Sequence, residues 1–205
     1  IVASGLVSVP VKAAGATSPV LSYQHGTIET DAEAPTNRAN VEEPAVVLAS
    51  LGYIVVAADY VGYGASRGTP HPYLLSAPTA AAVLDLLTAA KTWRSRNSVS
   101  DNGQLFLIGY SEGGYATVAA HRALQTAGGA HLASLVATAP GAGPYHIGVT
   151  LDELLRRVRE ANPQAKTIVI TGYRTELEKL VEQTLADGAD AVCYKPFDVE
   201  RLLET

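Results

Sequence analysis

Methionine is absent from this 205-residue sequence, which has one cysteine, one tryptophan and two phenylalanines. A lone cysteine, Cys193, leaves no internal disulfide and no thiolate metal cluster. The first residue is Ile1, so the printed chain lacks its own start, and no residue marks a removed signal peptide. No apolar run approaches the roughly 20 residues of a membrane span, so no membrane partner is expected. Fifteen basic residues stand against 20 acidic ones, a net charge of −5 with no basic stripe. That balance argues against a nucleic-acid surface. Histidine is scarce as well, and none occurs after His146.

What remains is a globular composition, 47% hydrophobic and 17% charged, long enough for one substantial core. The charge is unevenly spread. Seven Lys/Arg and nine Asp/Glu serve residues 1–150, whereas residues 151–205 hold eight and eleven. The first part is rich in Ala, Gly and Tyr. The second reads as an ordinary charged, cytoplasmic-type sequence.

Strands are expected at 4–12 and 18–24 by alternation, and at 53–59 and 104–109 as apolar runs buried on both faces. A further strand is expected at 132–140. Helices are expected at about 41–50, 78–93 and 112–126. Beyond them, Thr150 with Glu153 forms a capping box ahead of an apolar stripe at Leu151, Leu154, Leu155 and Val158. "KTIVIT" and "DAVCYK" read as two more strands, with helices after each. Alternating strands and helices imply an α/β fold, a three-layer α/β/α sandwich on one mostly parallel sheet of about eight strands. The whole is expected to be one structural domain.

Chemistry concentrates at "LFLIGYSEGGYA", residues 105–116, where an apolar strand enters Gly109-Tyr110-Ser111-Glu112-Gly113 and then a small-residue helix. This is the G-x-S-x-G pattern in the strand–turn–helix setting that exposes a nucleophilic serine. The competing reading of Ser111 is a serine that only caps the helix. With "YQHGT" (23–27), "DYVGYGAS" (59–66), "GTPHPY" (68–73) and "TAPGAGPY" (138–145), it makes residues 1–149 resemble an α/β-hydrolase of the bacterial secreted lipase/esterase type. The resemblance implies Ser111 as nucleophile. It also implies an oxyanion hole from the backbone N–H of Glu112 and of the turn at Gly26 and Thr27, with His25 in a packing role.

A triad in the order Ser, acid, His needs a base after Ser111. His121 and His131 are placed wrongly for it, which leaves His146, on the loop after the neighbouring strand, as surrogate base. Its alternative is an ordinary loop histidine.

Residues 151–205 resemble instead the C-terminal half of a response-regulator receiver, through "TIVITGY" and Lys195-Pro196-Phe197. The resemblance makes Thr171 and Lys195 remnants of a phosphoacceptor site whose aspartate is absent here. Lys195 as a base would sit three strands from Ser111, about 14 Å. The coincidence of charge step and resemblance points to an engineered chimera, two incomplete parents sharing one sheet and lacking efficient catalysis. The alternative function is a weak serine esterase acting on activated or short-chain esters. No cofactor and no metal site is expected. A small acyl ester is the expected ligand, and uncovered apolar surface allows self-association.

Overall fold

The computed structural model describes residues 1–171 and 178–194. It resolves two compact units, Ile1–Pro144 and Tyr145–Thr205. The first holds β1 (Gly5–Ser8), β2 (Ser18–Gln24), α1 (Pro44–Ser50), β3 (Ile54–Ala58), α2 (Ser76–Arg96), β4 (Asp101–Tyr110), α3 (Glu112–Ala127), α4 (Gly129–Ser134) and β5 (Leu135–Gly141). The second holds α5 (Ile147–Ala161), β6 (Ile168–Thr171), α6 (Glu178–Ala186) and β7 (Ala191–Tyr194).

In the first unit the sheet order is β1-β3-β2-β4-β5. Only β1 runs antiparallel. Its interior strand β3 is the five-residue run Ile-Val-Val-Ala-Ala, buried throughout, as a strand covered on both faces must be. Alternation along the strands divides the core. Val20, Ile54, Val56, Leu105 and Leu107 pack with Val83, Leu87 and Ala90 of α2 and with Ala116, Ala120 and Leu124 of α3. Leu21, Val55 and Ala57 face the other way, against Ala45 and Ala49 of α1. Pro44 opens α1, and the Glu43 side chain accepts from the Ala45 N–H at the cap. This suits proline, which has no N–H to satisfy at the first turn.

The second unit is smaller. Its strands β6 and β7 pair in parallel, Ile168 opposite Ala191 through Thr171 opposite Tyr194. Leu155 of α5 and Val181 and Thr184 of α6 are buried. Asp190 accepts from the Thr167 N–H at 2.8 Å and pairs with Lys166 at 3.0 Å. The Thr167 N–H, then the Lys166 ammonium and the Thr167 hydroxyl, hold its carboxyl down at about 2.

Three expectations are corrected. One sheet of about eight strands is replaced, among the described residues, by a five-stranded and a two-stranded sheet in separate units. The pattern of apolar runs marks where strands lie but not which edges pair, and β6 and β7 pair with each other. Residues 132–134 belong to α4 rather than to a strand. Gly128 and Gly129, both at positive φ, let the chain re-enter a helix directly after α3. Finally, α5 starts at Ile147, so Thr150 lies inside it and the N-cap is His146. No helix among the described residues is long and apolar enough to cross a membrane.

Candidate active site

Strand β4 ends at Tyr110 and α3 begins at Glu112, so a single residue makes the reversal. That residue is Ser111, at φ 57°, ψ −123°. Left-handed backbone in a residue with a Cβ costs on the order of 1 kcal/mol and persists only where the surroundings impose it. They do so here: the Ser111 N–H donates to Gly141 O at 2.9 Å, and its carbonyl accepts from the Tyr115 N–H at 3.1 Å. The Ser111 side chain makes no helix-cap hydrogen bond. The helix-capping reading therefore fails, and the hydroxyl stands at the C-terminal end of the sheet. Ligands of open α/β sheets bind at that end.

Helix α3 can lie this close to β2 only because position 113 has no side chain. A Cβ on Gly113 would sit 2.0 Å from the Gln24 carbonyl oxygen. The same contact brings the turn after β2 beside the nucleophile. A Cβ built on Gly26 would be 3.8 Å from Ser111 Cβ and 3.4 Å from Tyr110 O. Gly26 therefore borders Ser111, and the next residue, Thr27, is tied to the Tyr73 hydroxyl at 3.3 Å. The first N–H groups of α3, Glu112's among them, have no intrahelical acceptor. An oxyanion requires N–H donors already in place beside the attacking oxygen.

The histidines of the first unit do not complete a triad. His25 is buried, with Nδ1 2.7 Å from Gly26 O and Nε2 3.4 Å from Asp59 O, and its ring stacks on Tyr60 at 4.1 Å. Burial outweighs these carbonyls and the nearby Glu112 and Asp59 charges and lowers its pKa, so it is neutral at neutral pH. His71 sets Nδ1 2.7 Å from Val61 O and Nε2 2.7 Å from Glu112 Oε1. Both rings are thus turned toward acceptors other than Ser111. His121 lies ten residues along α3, about 15 Å of helix from the serine. His131 lines a small cavity with Arg94, Asp101 and Leu105 near the start of β4, at the opposite end of the sheet.

His146 belongs to the second unit, where its Nδ1 accepts from the Val149 N–H at 3.2 Å. That bond engages the lone pair a general base would use, leaving the ring's other nitrogen to carry the proton. Thr171 ends β6, and Lys195 lies outside the described residues. Among the described residues no group of three His, Cys, Asp or Glu could hold a metal ion.

The pairing of Glu112 with His71 was not foreseen. The two are 41 residues apart, and sequence analysis gave Glu112 a backbone role only. One signal was present: Glu112 is the single acid of α3 and sits directly before the small residues Gly113 and Gly114, where the helix packs closest, and a buried carboxylate needs a partner.

Residues 29–188 match the family model described as secretory lipase. The chain belongs to the secretory lipase family. Among solved structures, the rice cell wall degrading esterase LipA from Xanthomonas oryzae is 34% identical with a TM-score of 0.64, over 74% of this chain and 40% of that one. A putative hydrolase from Legionella pneumophila is 26% identical with a TM-score of 0.61, over 98% and 56%. No curated protein sequence matches the chain. This secretory lipase chain therefore spans well under two thirds of either structure. Both support the α/β-hydrolase arrangement of its sheet and elbow.

Proposed function

We propose that this chain carries the acylation site of a serine carboxylic-ester hydrolase, with Ser111 as nucleophile and the Glu112 and Gly26-Thr27 N–H groups as oxyanion donors. The carrying observation is the strained, uncapped Ser111 at the end of β4 beside Gly26. The ligand is a small acyl ester entering at the C-terminal ends of β2 and β4. Within this chain no imidazole of the first unit serves as base, so turnover is slow and confined to activated or short-chain esters. Sites that keep oxyanion donors and lose the triad retain about 10³-fold over water. A fluorophosphonate probe is expected to label the wild type, and Ser111→Ala is expected to abolish labelling. p-Nitrophenyl acetate hydrolysis should fall with it. Labelling of the Ser111→Ala protein would remove the reading.

We further propose that residues 150–205 are a receiver-derived segment joined by engineering to the hydrolase part, without phosphotransfer. The charge step supports it, as does the separate compact unit beginning at Tyr145. The family match running on to residue 188 is the observation against it. Incubation with acetyl phosphate is expected to leave the mass of peptides from this segment unchanged. A phosphoryl adduct mapped there would contradict it.

A further inference from the structure

Glu112 is 2% exposed at the side chain, on the first turn of α3, and its backbone N–H belongs to the oxyanion donors argued above. Among the described residues its carboxylate hydrogen-bonds the His71 imidazole, which comes from the loop between β3 and α2. The His71 ring is held on its other side by the Val61 carbonyl. Two acceptors at 2.7 Å on the two ring nitrogens can both be satisfied only when the ring donates twice, or when the shared proton sits on Glu112. Either way the pair holds one proton more than neutral imidazole plus carboxylate. Without that proton a ring lone pair faces a carboxylate oxygen at hydrogen-bond distance.

Among the described residues, three phenols also flank the ring: Tyr63 at 5.0 Å between ring centres, and Tyr60 and Tyr73 each at 6.1 Å. His25 lies beyond Tyr60. Among the described residues, Glu112 is the acid hydrogen-bonded to His71.

We propose that the protonated His71–Glu112 pair is a positioning device for the nucleophile turn: by anchoring the Glu112 side chain to the β3–α2 loop, it fixes the direction of the Glu112 N–H toward the oxyanion. This rests on the acylation reading of Ser111. The balance of forces agrees with it. Burial pulls the His71 pKa down, but the Glu112 hydrogen bond, the Val61 carbonyl and the Glu112 charge together raise it above 6.5. The clamp is closed below that raised value and opens as pH rises through it.

The test follows ring and amide separately from acylation. In the wild type at pH 6, nitrogen NMR of His71 together with carbon NMR of the Glu112 carboxyl is expected to show the extra proton on the pair, either as a doubly protonated ring or as a protonated Glu112. The Glu112 amide resonance should shift with the same alkaline midpoint as the ring. Glu112→Gln should lower the His71 midpoint and uncouple the amide at position 112 from it. It should also slow fluorophosphonate labelling of Ser111 about tenfold or more, the usual price of a slightly misdirected group, and remove the alkaline fall of the labelling profile. His71→Gln, which can still donate to Glu112 but does not titrate, should label faster than Glu112→Gln and show no such fall.

A neutral His71 ring beside an ionised Glu112 at pH 6 overturns the proposal. So does a Glu112 amide indifferent to the ring's titration, or an unchanged labelling rate in Glu112→Gln. Should ring and amide titrate together while Ser111 takes no probe in any variant, the clamp stands and the acylation reading falls.

Discussion

Gly113→Ala is expected to destabilise the first compact unit by about 3 kcal/mol, near the upper end for an overpacking substitution. In a domain of this size that is a drop on the order of 10 °C in melting temperature. The added methyl would meet Gln24 O at 2.0 Å, its carbonyl carbon at 2.7 Å and His25 O at 2.7 Å. All three are backbone atoms of the β2 strand and the turn after it, so no side-chain rotation can relieve the clash. Either α3 lifts from the sheet, uncovering Ala116 and Ala120, or β2 shifts against β4. Both moves also displace Gly26 from Ser111. The contrasting substitution is Gly68→Ala, where φ is +88° but nothing lies within 4 Å. Only backbone strain applies there, at about 1 kcal/mol. Trp93, the single tryptophan, lies in α2, so its fluorescence reports the first unit alone. A Gly113→Ala protein melting within 2 °C of wild type by that signal would mean that the helix is not held as described; the threshold is about a fifth of the expected shift.

That clash explains why so much of the nucleophile turn was readable from residue types. The motif specifies small residues because the turn is sterically crowded, and crowding is a local property that one short stretch can encode. Strand positions were readable for a related reason. A run such as Ile54–Ala58 has no polar side to present, so it must lie inside a sheet. What was not readable depends on residues distant in sequence. The His71–Glu112 pair joins a loop to the first turn of α3 through one hydrogen bond, and neither residue's neighbours announce the other. The expectation that β6 and β7 would extend the first sheet failed similarly, because hydrogen-bonding edges are alike along every strand. His146 was placed near chemistry by its loop position, yet one residue further on the chain is helical, and a ring at a helix start finds backbone N–H groups to accept. Thr171 and Lys195 were singled out by likeness alone, with no local constraint behind them.

Asp59→Ala is expected to cost about 3 kcal/mol, since losing a buried acceptor strands each of its donors at about 1 kcal/mol or more. Asp59 follows β3 directly and is fully buried. Its carboxylate accepts from Ser4 Oγ at 2.6 Å, Thr36 N at 2.9 Å and Thr36 Oγ1 at 2.5 Å. Ser4 Oγ in turn accepts from the Ala65 N–H at 2.8 Å. One side chain thus gathers the segment before β1, the chain ahead of α1 and the turn at Gly64–Ser66, whose Gly64 leaves room for it. Its main-chain carbonyl lies 3.4 Å from His25 Nε2, so the oxyanion turn leans on the same point.

Asp59→Asn separates charge from hydrogen bonding. The amide oxygen can still accept from the Thr36 N–H, and the two hydroxyls can rotate to accept from the amide NH₂. Its cost should therefore stay near 1 kcal/mol, the net worth of a single rearranged hydrogen bond. Urea unfolding followed by Trp93 fluorescence would rank the three proteins. Equal midpoints for alanine and asparagine would show that the negative charge, rather than the set of accepted hydrogen bonds, holds these three segments together.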